Sequence, residues 1–365
     1  MSEFRTRRLD RAGENDLNEC WLQFRRRKEP HFKRSLELMR WLWHEGPGGP
    51  VESWIIEARE AGGDWKIVGH HGLCPVRFTF GSRDLLVAKT MNTFLLPEYR
   101  SKFLYLRFEQ NCLQQYHSRY DAVCSLGGRG IHRLRQGFGY TGPSNWIEFE
   151  RGSQHLDAVT RVIARGALRI PEAAAERLAR QWLPMVSSRI KPAFEWTEFN
   201  SVEARQSDFF QDFWNQARSC AGMAPRREVA DLTWRYWNRP DGNVATLVHS
   251  WSSGAKAYCA IERLNPFLYL LSDIYVTPPN PALLSEVLES LFHWCARRGV
   301  LRLAFFTTTE GQPRELLEVF FAHMRLNPFQ TFRMRMEFCC RVPPETRAFG
   351  VPDHHWNFTS ALTPV

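Results

Sequence analysis

Asn92-Thr93-Phe94-Leu95-Leu96-Pro97-Glu98-Tyr99-Arg100-Ser101-Lys102-Phe103-Leu104 is the stretch whose reading decides the fold. It reads as a strand that stops at Pro97, a tight turn carrying two cations, and the first residue of a helix. A turn of that kind aims the free backbone N–H groups of a helix N-terminus at one point. Arg100 and Lys102 add positive charge there, which makes the point a seat for an anionic group such as phosphate.

Upstream of the turn, residues 3–9 predict a strand. Residues 16–27 predict a helix with Leu17, Cys20, Trp21 and Phe24 on one face. The following Arg25-Arg26-Arg27-Lys28 reads as a solvated helix end. Residues 54–58, 65–70 and 73–80 predict three strands of a meander, parted by Gly62-Gly63 and by His71-Gly72. Residues 85–96 are the long strand that enters the turn. Downstream, residues 104–119 predict a helix with Tyr105, Phe108, Cys112 and Tyr116 on one stripe. A short buried strand at 121–126 follows. Gly127-Gly128-Arg129-Gly130 opens a helix that ends at Gly137-Phe138-Gly139, and 146–150 closes the unit.

The same order then recurs. Trp234, Pro240 and Gly242 each lie 193 residues after Trp41, Pro47 and Gly49, and Tyr236 falls over Trp43. The chain therefore reads as one fold used twice. The first unit spans 1–150, a helical connector 151–193, the second unit 194–342, and a tail 343–365. In the second unit, strands are expected at 196–199, 244–251, 256–263, 267–276, 301–307 and 332–342. Helices are expected at 208–220, 281–298 and 314–324. Where the first unit has its cationic turn, the second has Pro278-Pro279-Asn280-Pro281. Three prolines cannot donate N–H bonds, so this copy cannot build the same anion seat.

A length of 365 residues suits two domains. With 44% apolar and 24% charged residues, the composition is that of a globular rather than a disordered chain. The net charge of +9 favours anionic partners, a nucleotide cofactor among them. The sequence holds no apolar run long enough for a membrane span and no apolar leader after Met1. Nine cysteines without a Cys-x-x-Cys spacing point to reduced thiols in a cytoplasm. No metal is expected: His70-His71, as strand neighbours, face opposite ways, and Asp353-His354-His355 has no supporting ligand pattern. Gly128-x-Gly130-x-x-Arg133 lacks the third glycine of a dinucleotide fingerprint. No nucleic-acid motif accompanies the charge, so nucleic acid is not expected as a partner. Nothing in the sequence sets an oligomeric state.

The pattern strand–Pro97-x-Tyr99-Arg100-x-x-x-Leu104–helix, then a short strand, then a helix ending in Gly137-Phe138, resembles the GNAT (GCN5-related N-acetyltransferase) superfamily. The tandem arrangement resembles bacterial double-GNAT proteins linked to polysaccharide or amino-sugar modification. Three features carry that closer likeness: the Trp-x-aromatic … Pro-x-Gly pattern of each copy, Arg227 … Asp231-Leu232-Thr233-Trp234-Arg235-Tyr236, and Gln136-Gly137-Phe138.

The resemblance implies an α/β (α+β) chain of two tandem units. Each would be a mixed, mostly antiparallel central sheet flanked by helices. It implies an acyl-CoA-dependent N-acyltransferase with acetyl-CoA as co-substrate, a small amine or amino-sugar acceptor, and no metal. Leu95 and Leu96 would face the thioester, and Arg100, Ser101, Lys102, Phe103 and Leu104 the pyrophosphate. The sequence departs from the family pattern in two places. Ser101 and Phe103 stand where glycines are expected, and Phe103 brings bulk where backbone must approach phosphate. Arg133 stands where the family often has a tyrosine or cysteine general acid. Proton transfer then falls to His132, Tyr140 or Glu98, with Tyr99, His70 and His71 as further candidates. Asn92 and Thr93 could line an acceptor pocket or fill a sheet face. The competing reading is a non-catalytic GNAT-fold binding or scaffold protein in a polysaccharide-related pathway.

Overall fold

The computed structural model describes residues 3–9, 18–20, 22, 36–80, 83–102, 104–116, 119–127, 135, 137–138, 140, 146–152, 192–220, 223–264, 268–300, 302–308, 314–326 and 335–340. They build two seven-stranded mixed sheets. The first half supplies β1 (Glu3–Arg8), helix α1 (Leu36–His44), β2 (Glu52–Arg59), β3 (Lys66–Phe80) and β4 (Arg83–Leu95). A 3-10 turn, Pro97–Lys102, leads into α2 (Leu104–Tyr116), β5 (Ala122–Gly127) and β6 (Trp146–Gly152).

The second half supplies β7 (Thr197–Phe199), α3 (Ser201–Gln206), α4 (Phe209–Cys220) and β8 (Met223–Pro225). Next come α5 (Val229–Leu232), which runs on as a π turn over Thr233–Trp237, and strands β9 (Val244–Ser250), β10 (Lys256–Arg263) and β11 (Leu268–Thr277). α6 (Pro281–Arg297), β12 (Arg302–Thr308), α7 (Arg314–His323), β13 (Arg325–Leu326) and β14 (Arg335–Cys340) complete it.

Both sheets use one pairing order. β1, β2, β3 and β4 pair antiparallel in sequence, and β4 pairs parallel with β5. β7, β9, β10 and β11 repeat that run, and β11 pairs parallel with β12. The last strand of each half then crosses over. β6 pairs antiparallel with β12, and β14 pairs antiparallel with β5. Residues 146–150 and 332–342, read from sequence as closing their own units, thus place their strands in the opposite sheets. A strand's alternation fixes which face it buries but not which edge it joins.

β3 is one strand of 15 residues, where the sequence reading put a turn at His71-Gly72. The glycines there serve close approach instead. A Cβ on Gly72 would lie 3.0 Å from the Met91 carbonyl, and one on Gly69 would lie 3.0 Å from side-chain atoms of Ile56 and Leu95.

Each sheet buries both faces. α1 lays Met39, Leu42 and Trp43 against Ile55, Val76, Val87 and Phe94. On the opposite face, Phe108 and Cys112 of α2 pack with Val68, Leu73, Ala88 and Val123. In the second sheet, Val287, Leu288 and Leu291 of α6 meet Cys259, Leu271 and Phe305, while Phe210, Phe213 and Trp214 of α4 meet Tyr258 and Ala260. α6 starts where it does because Asn280 accepts from the amides of Ala282 (2.8 Å) and Leu283 (3.2 Å), with Pro281 as its first residue. Among the described residues, no helix is long and apolar enough to cross a membrane.

Candidate functional site

β4 and β5 run together over only three pairs, Val87↔Ala122, Ala88↔Val123 and Lys89↔Cys124. The Thr90 hydroxyl still reaches Ser125 Oγ at 2.7 Å. Beyond it, β4 continues to Leu95 paired with β3, while β5 pairs with β14. The backbone pairing of β4 with β5 thus ends at Lys89 and Cys124. Just past that point β4 carries a bulge at Asn92. The β3–β4 register slips by one residue between His70↔Phe94 and Gly72↔Met91. Asn92 has φ +50°, the one left-handed non-glycine among the described residues. Asparagine tolerates that region better than other side chains, and a bulge turns the strand that carries it.

Two adjacent histidines hold this bulge. His70 Nδ1 lies 2.8 Å from the Asn92 carbonyl. A carbonyl only accepts, so Nδ1 carries the proton. His71 Nδ1 lies 3.1 Å from Thr93 Oγ1. The His70 ring stacks on Trp43, 5.0 Å away and 6° from parallel. The His71 ring meets Phe108 edge-on at 5.9 Å. Burial pushes the pKa of both down to about 3; the bond to Asn92 opposes it at His70, and the Arg135 cation reinforces it at His71. Both rings are neutral at neutral pH and too weakly basic to take a proton there. Cys124, at the fork of the two strands, is no nucleophile either. Burial raises its thiol to about 12 against the pull of Lys89.

At the far end of β4, the Leu96 N–H donates to the Val68 carbonyl at 2.9 Å. In a strand the N–H and C=O of one residue face the same edge, and those of the next residue face the other. The Leu95 N–H and C=O therefore face away from β3. Arg100 reaches the same spot, its Nε donating to the Leu95 carbonyl at 3.0 Å. Leu95 and Leu96 thus divide: Leu95 turns its N–H and C=O away from β3, and the Leu96 N–H is tied to β3.

Asn92, Thr93, Leu95 and Arg100 come together around this strand end. Glu98 sits exposed on the 3-10 turn. Ser101 and Lys102 complete that turn, and Leu104 begins α2. Phe103 and His132 lie outside the described residues. Tyr140 is buried in the core with Phe108 and Val123, its ring 5.7 Å from the Arg135 guanidinium. Arg135 in turn donates to Glu109 Oε1 at 2.8 Å and to the Tyr105 hydroxyl at 3.3 Å. The sequence reading misses this ion pair, whose partners lie 26 positions apart with no local signal to join them.

No family model and no curated protein matches the sequence. Solved structures do. A conserved protein from Enterococcus faecalis, described as a probable N-acyltransferase, is 13% identical; the match covers 93% of this chain and 72% of that one, with a TM-score of 0.57. A GCN5-related N-acetyltransferase from Anabaena variabilis is 13% identical over 92% of this chain and 72% of its own, with a TM-score of 0.54. N-myristoyltransferase from Saccharomyces cerevisiae, solved with bound myristoyl-CoA, is 11% identical over 94% and 80%, with a TM-score of 0.56. The fold is that of the GCN5-related N-acetyltransferases. At these coverages the likeness takes in both sheets.

Within that GNAT fold the two sheets differ at the equivalent place. β10 and β11 also slip register, between Ala260↔Asp273 and Ile261↔Leu271. Here a buried ion pair stands beside the slip. Arg227 donates twice to Asp273, at 2.9 Å each, and the Tyr258 hydroxyl bonds the same carboxylate. Both charged residues are fully buried. Burial raises the Asp273 carboxyl, but Arg227 and Tyr258 more than offset it and keep the group below its ordinary value. β11 also parts from β12, after Leu271↔Phe305, so both sheets carry a fork, and the second has a buried ion pair beside its register slip.

Proposed function

We propose that the protein is an acyl-CoA-dependent N-acyltransferase whose site is the fork between β4 and β5. The observation that supports this most directly is the Asn92 bulge, which lies just past the end of the β4–β5 pairing and precedes Leu95, whose N–H and C=O face away from β3. In this reading Leu95 N–H donates to the thioester carbonyl as negative charge develops on it. Arg100 and the turn through Leu104 meet the pyrophosphate, and Asn92 and Thr93 border the acceptor. The acceptor's amine nitrogen attacks the thioester carbon, the thiolate leaves, and one proton passes from nitrogen to a base, with His132 and Glu98 as candidates. Acetyl-CoA is the proposed co-substrate and an amino sugar or small amine the proposed acceptor. The second sheet is then a wall for the acceptor rather than a second site, since Pro278, Pro279 and Pro281 leave its turn without the N–H donors of an anion seat. The buried free thiols of Cys74, Cys124 and Cys259 are consistent with a reducing cytoplasm.

Isothermal titration with acetyl-CoA and with CoA tests the reading. Micromolar binding is expected, and Arg100→Ala should weaken it roughly 10- to 100-fold, the worth of one charge-assisted hydrogen bond. No binding of either ligand at millimolar concentration would favour the non-catalytic alternative. The substitution of Phe103 for a glycine and the burial of Tyr140 are what speak for that alternative.

A further inference from the structure

We infer that His70 and His71 are positioning residues that clamp the β4 bulge from its two faces, so that the Leu95 N–H and C=O are held facing away from β3. The inference rests on the acyltransferase reading for its chemical purpose, but the clamp itself is a matter of geometry. Consecutive strand residues point to opposite faces. His70 reaches the α1 side, where Trp43 stacks on it, and its Nδ1–H grips the Asn92 carbonyl at 2.8 Å. His71 reaches the α2 side, where Tyr105 and Phe108 wall it in, and its Nδ1 meets the Thr93 hydroxyl at 3.1 Å.

Asn92 and Thr93 are the two residues at which β4 turns away. A left-handed residue inside a strand persists only where its surroundings over-determine it. Here one side chain fixes the carbonyl of the left-handed residue and the next fixes the side chain of the residue after it. Gly72, beside the pair, lets Met91 approach, with 3.0 Å between its carbonyl and a would-be Cβ. The two histidines thus act on two adjacent residues of β4. Their shared role is to fix the peptide plane three residues on.

The test compares His70→Phe, which keeps a ring to stack on Trp43 but removes the donor, with His70→Asn, whose amide N–H takes the place of Nδ1–H. Thr93→Val removes the other contact at nearly constant volume and stands in should a His70 variant fail to fold. Hydrogen exchange of the segment 90–96 is read on the full-length protein, alongside calorimetry with acetyl-CoA and CoA. Losing one such hydrogen bond should speed exchange in 90–96 about five- to tenfold in His70→Phe and Thr93→Val, leave the second sheet unchanged, and be restored in His70→Asn. Acetyl-CoA affinity should fall by a similar factor while that of CoA, which has no thioester carbonyl, stays constant. Unchanged exchange in His70→Phe and Thr93→Val would overturn the clamp. A wild type that binds neither ligand but shows the exchange pattern would overturn the acyltransferase reading and leave the clamp standing.

Discussion

The indole rings of Trp41 and Trp234 stack on each other, with centroids 5.3 Å apart and planes 24° from parallel. They are the two tryptophans that the internal match sets 193 residues apart. In a two-fold arrangement, residues near the axis meet their own counterparts. The glycines of the same match, Gly49 and Gly242, both adopt positive φ, at 111° and 58°. The Trp41–Trp234 contact therefore joins the halves at the centre of their likeness. Trp41→Ala should destabilise the fold by about 3–5 kcal/mol, as for other buried tryptophans. A double-mutant cycle with Trp234→Ala, read by urea unfolding, should show a coupling of about 0.5–1.5 kcal/mol. Strict additivity would mean that the two rings do not stabilise one another.

The exchange of β6 and β14 makes each sheet depend on both halves. A fragment of residues 1–193 would carry β6 without β12 and would expose the β5 edge that β14 covers. A fragment of 194–365 would have the converse defect. Neither should give a cooperative unfolding transition alone, and mixing them should restore one. The two halves are also pinned side by side. Arg77 Nε and Nη2 bond both oxygens of Asp231, at 2.9 and 2.7 Å, and β8 adds itself to β3. Circular dichroism melts of the fragments, separate and mixed, would decide it. Two separate, cooperative melts would show that the exchanged strands are dispensable.

The buried pair Arg227–Asp273 gives a third expectation. Asp273→Ala would strand a guanidinium that has no exposed surface, at a cost of about 3–5 kcal/mol. Replacing both partners with apolar residues, as in Arg227→Met with Asp273→Leu, should cost less, because no charge is left alone. Thermal melts of the single and double variants would rank them. A double variant no better than Asp273→Ala would mean that the Tyr258 hydroxyl, rather than the ion pair, sets the stability of this fork.

What could be read from the sequence was what is local. The strand stop at Pro97, the apolar stripe of Phe108 and Cys112, and the Asn280-Pro281 helix start are each set by residues within one or two turns of chain, and each is found as expected. The likeness of the halves was legible too, because Trp41/Trp234 and Gly49/Gly242 repeat residue identities. The partners of β6 and β14 were not, since an alternating strand fits either sheet edge. Nor was the His70–His71 clamp. Two histidines in a strand suggest exchangeable protons, and only their burial between Trp43 and Phe108 removes that option. The asparagine in mid-strand was the available signal: Asn92 is poorly suited to a regular ladder and well suited to a left-handed bulge.

The same burial makes stability depend on pH, with a definite sign. The folded protein holds both histidines at about 3, whereas the unfolded chain returns them to the ordinary value of 6.5. Between those values the unfolded state binds up to two more protons, so stability rises with pH there and is complete above the unfolded value. As pH falls from about 7 to about 5, each neutral histidine should subtract about 2 kcal/mol from the free energy of unfolding. His70→Asn keeps the contact to Asn92 without a titrating ring, so it should lose about half of this dependence. Urea unfolding of wild type and His70→Asn at a series of pH values measures it. Parallel curves would mean that His70 gains no extra proton on unfolding, and the neutral, buried ring at the head of the clamp would have to be abandoned.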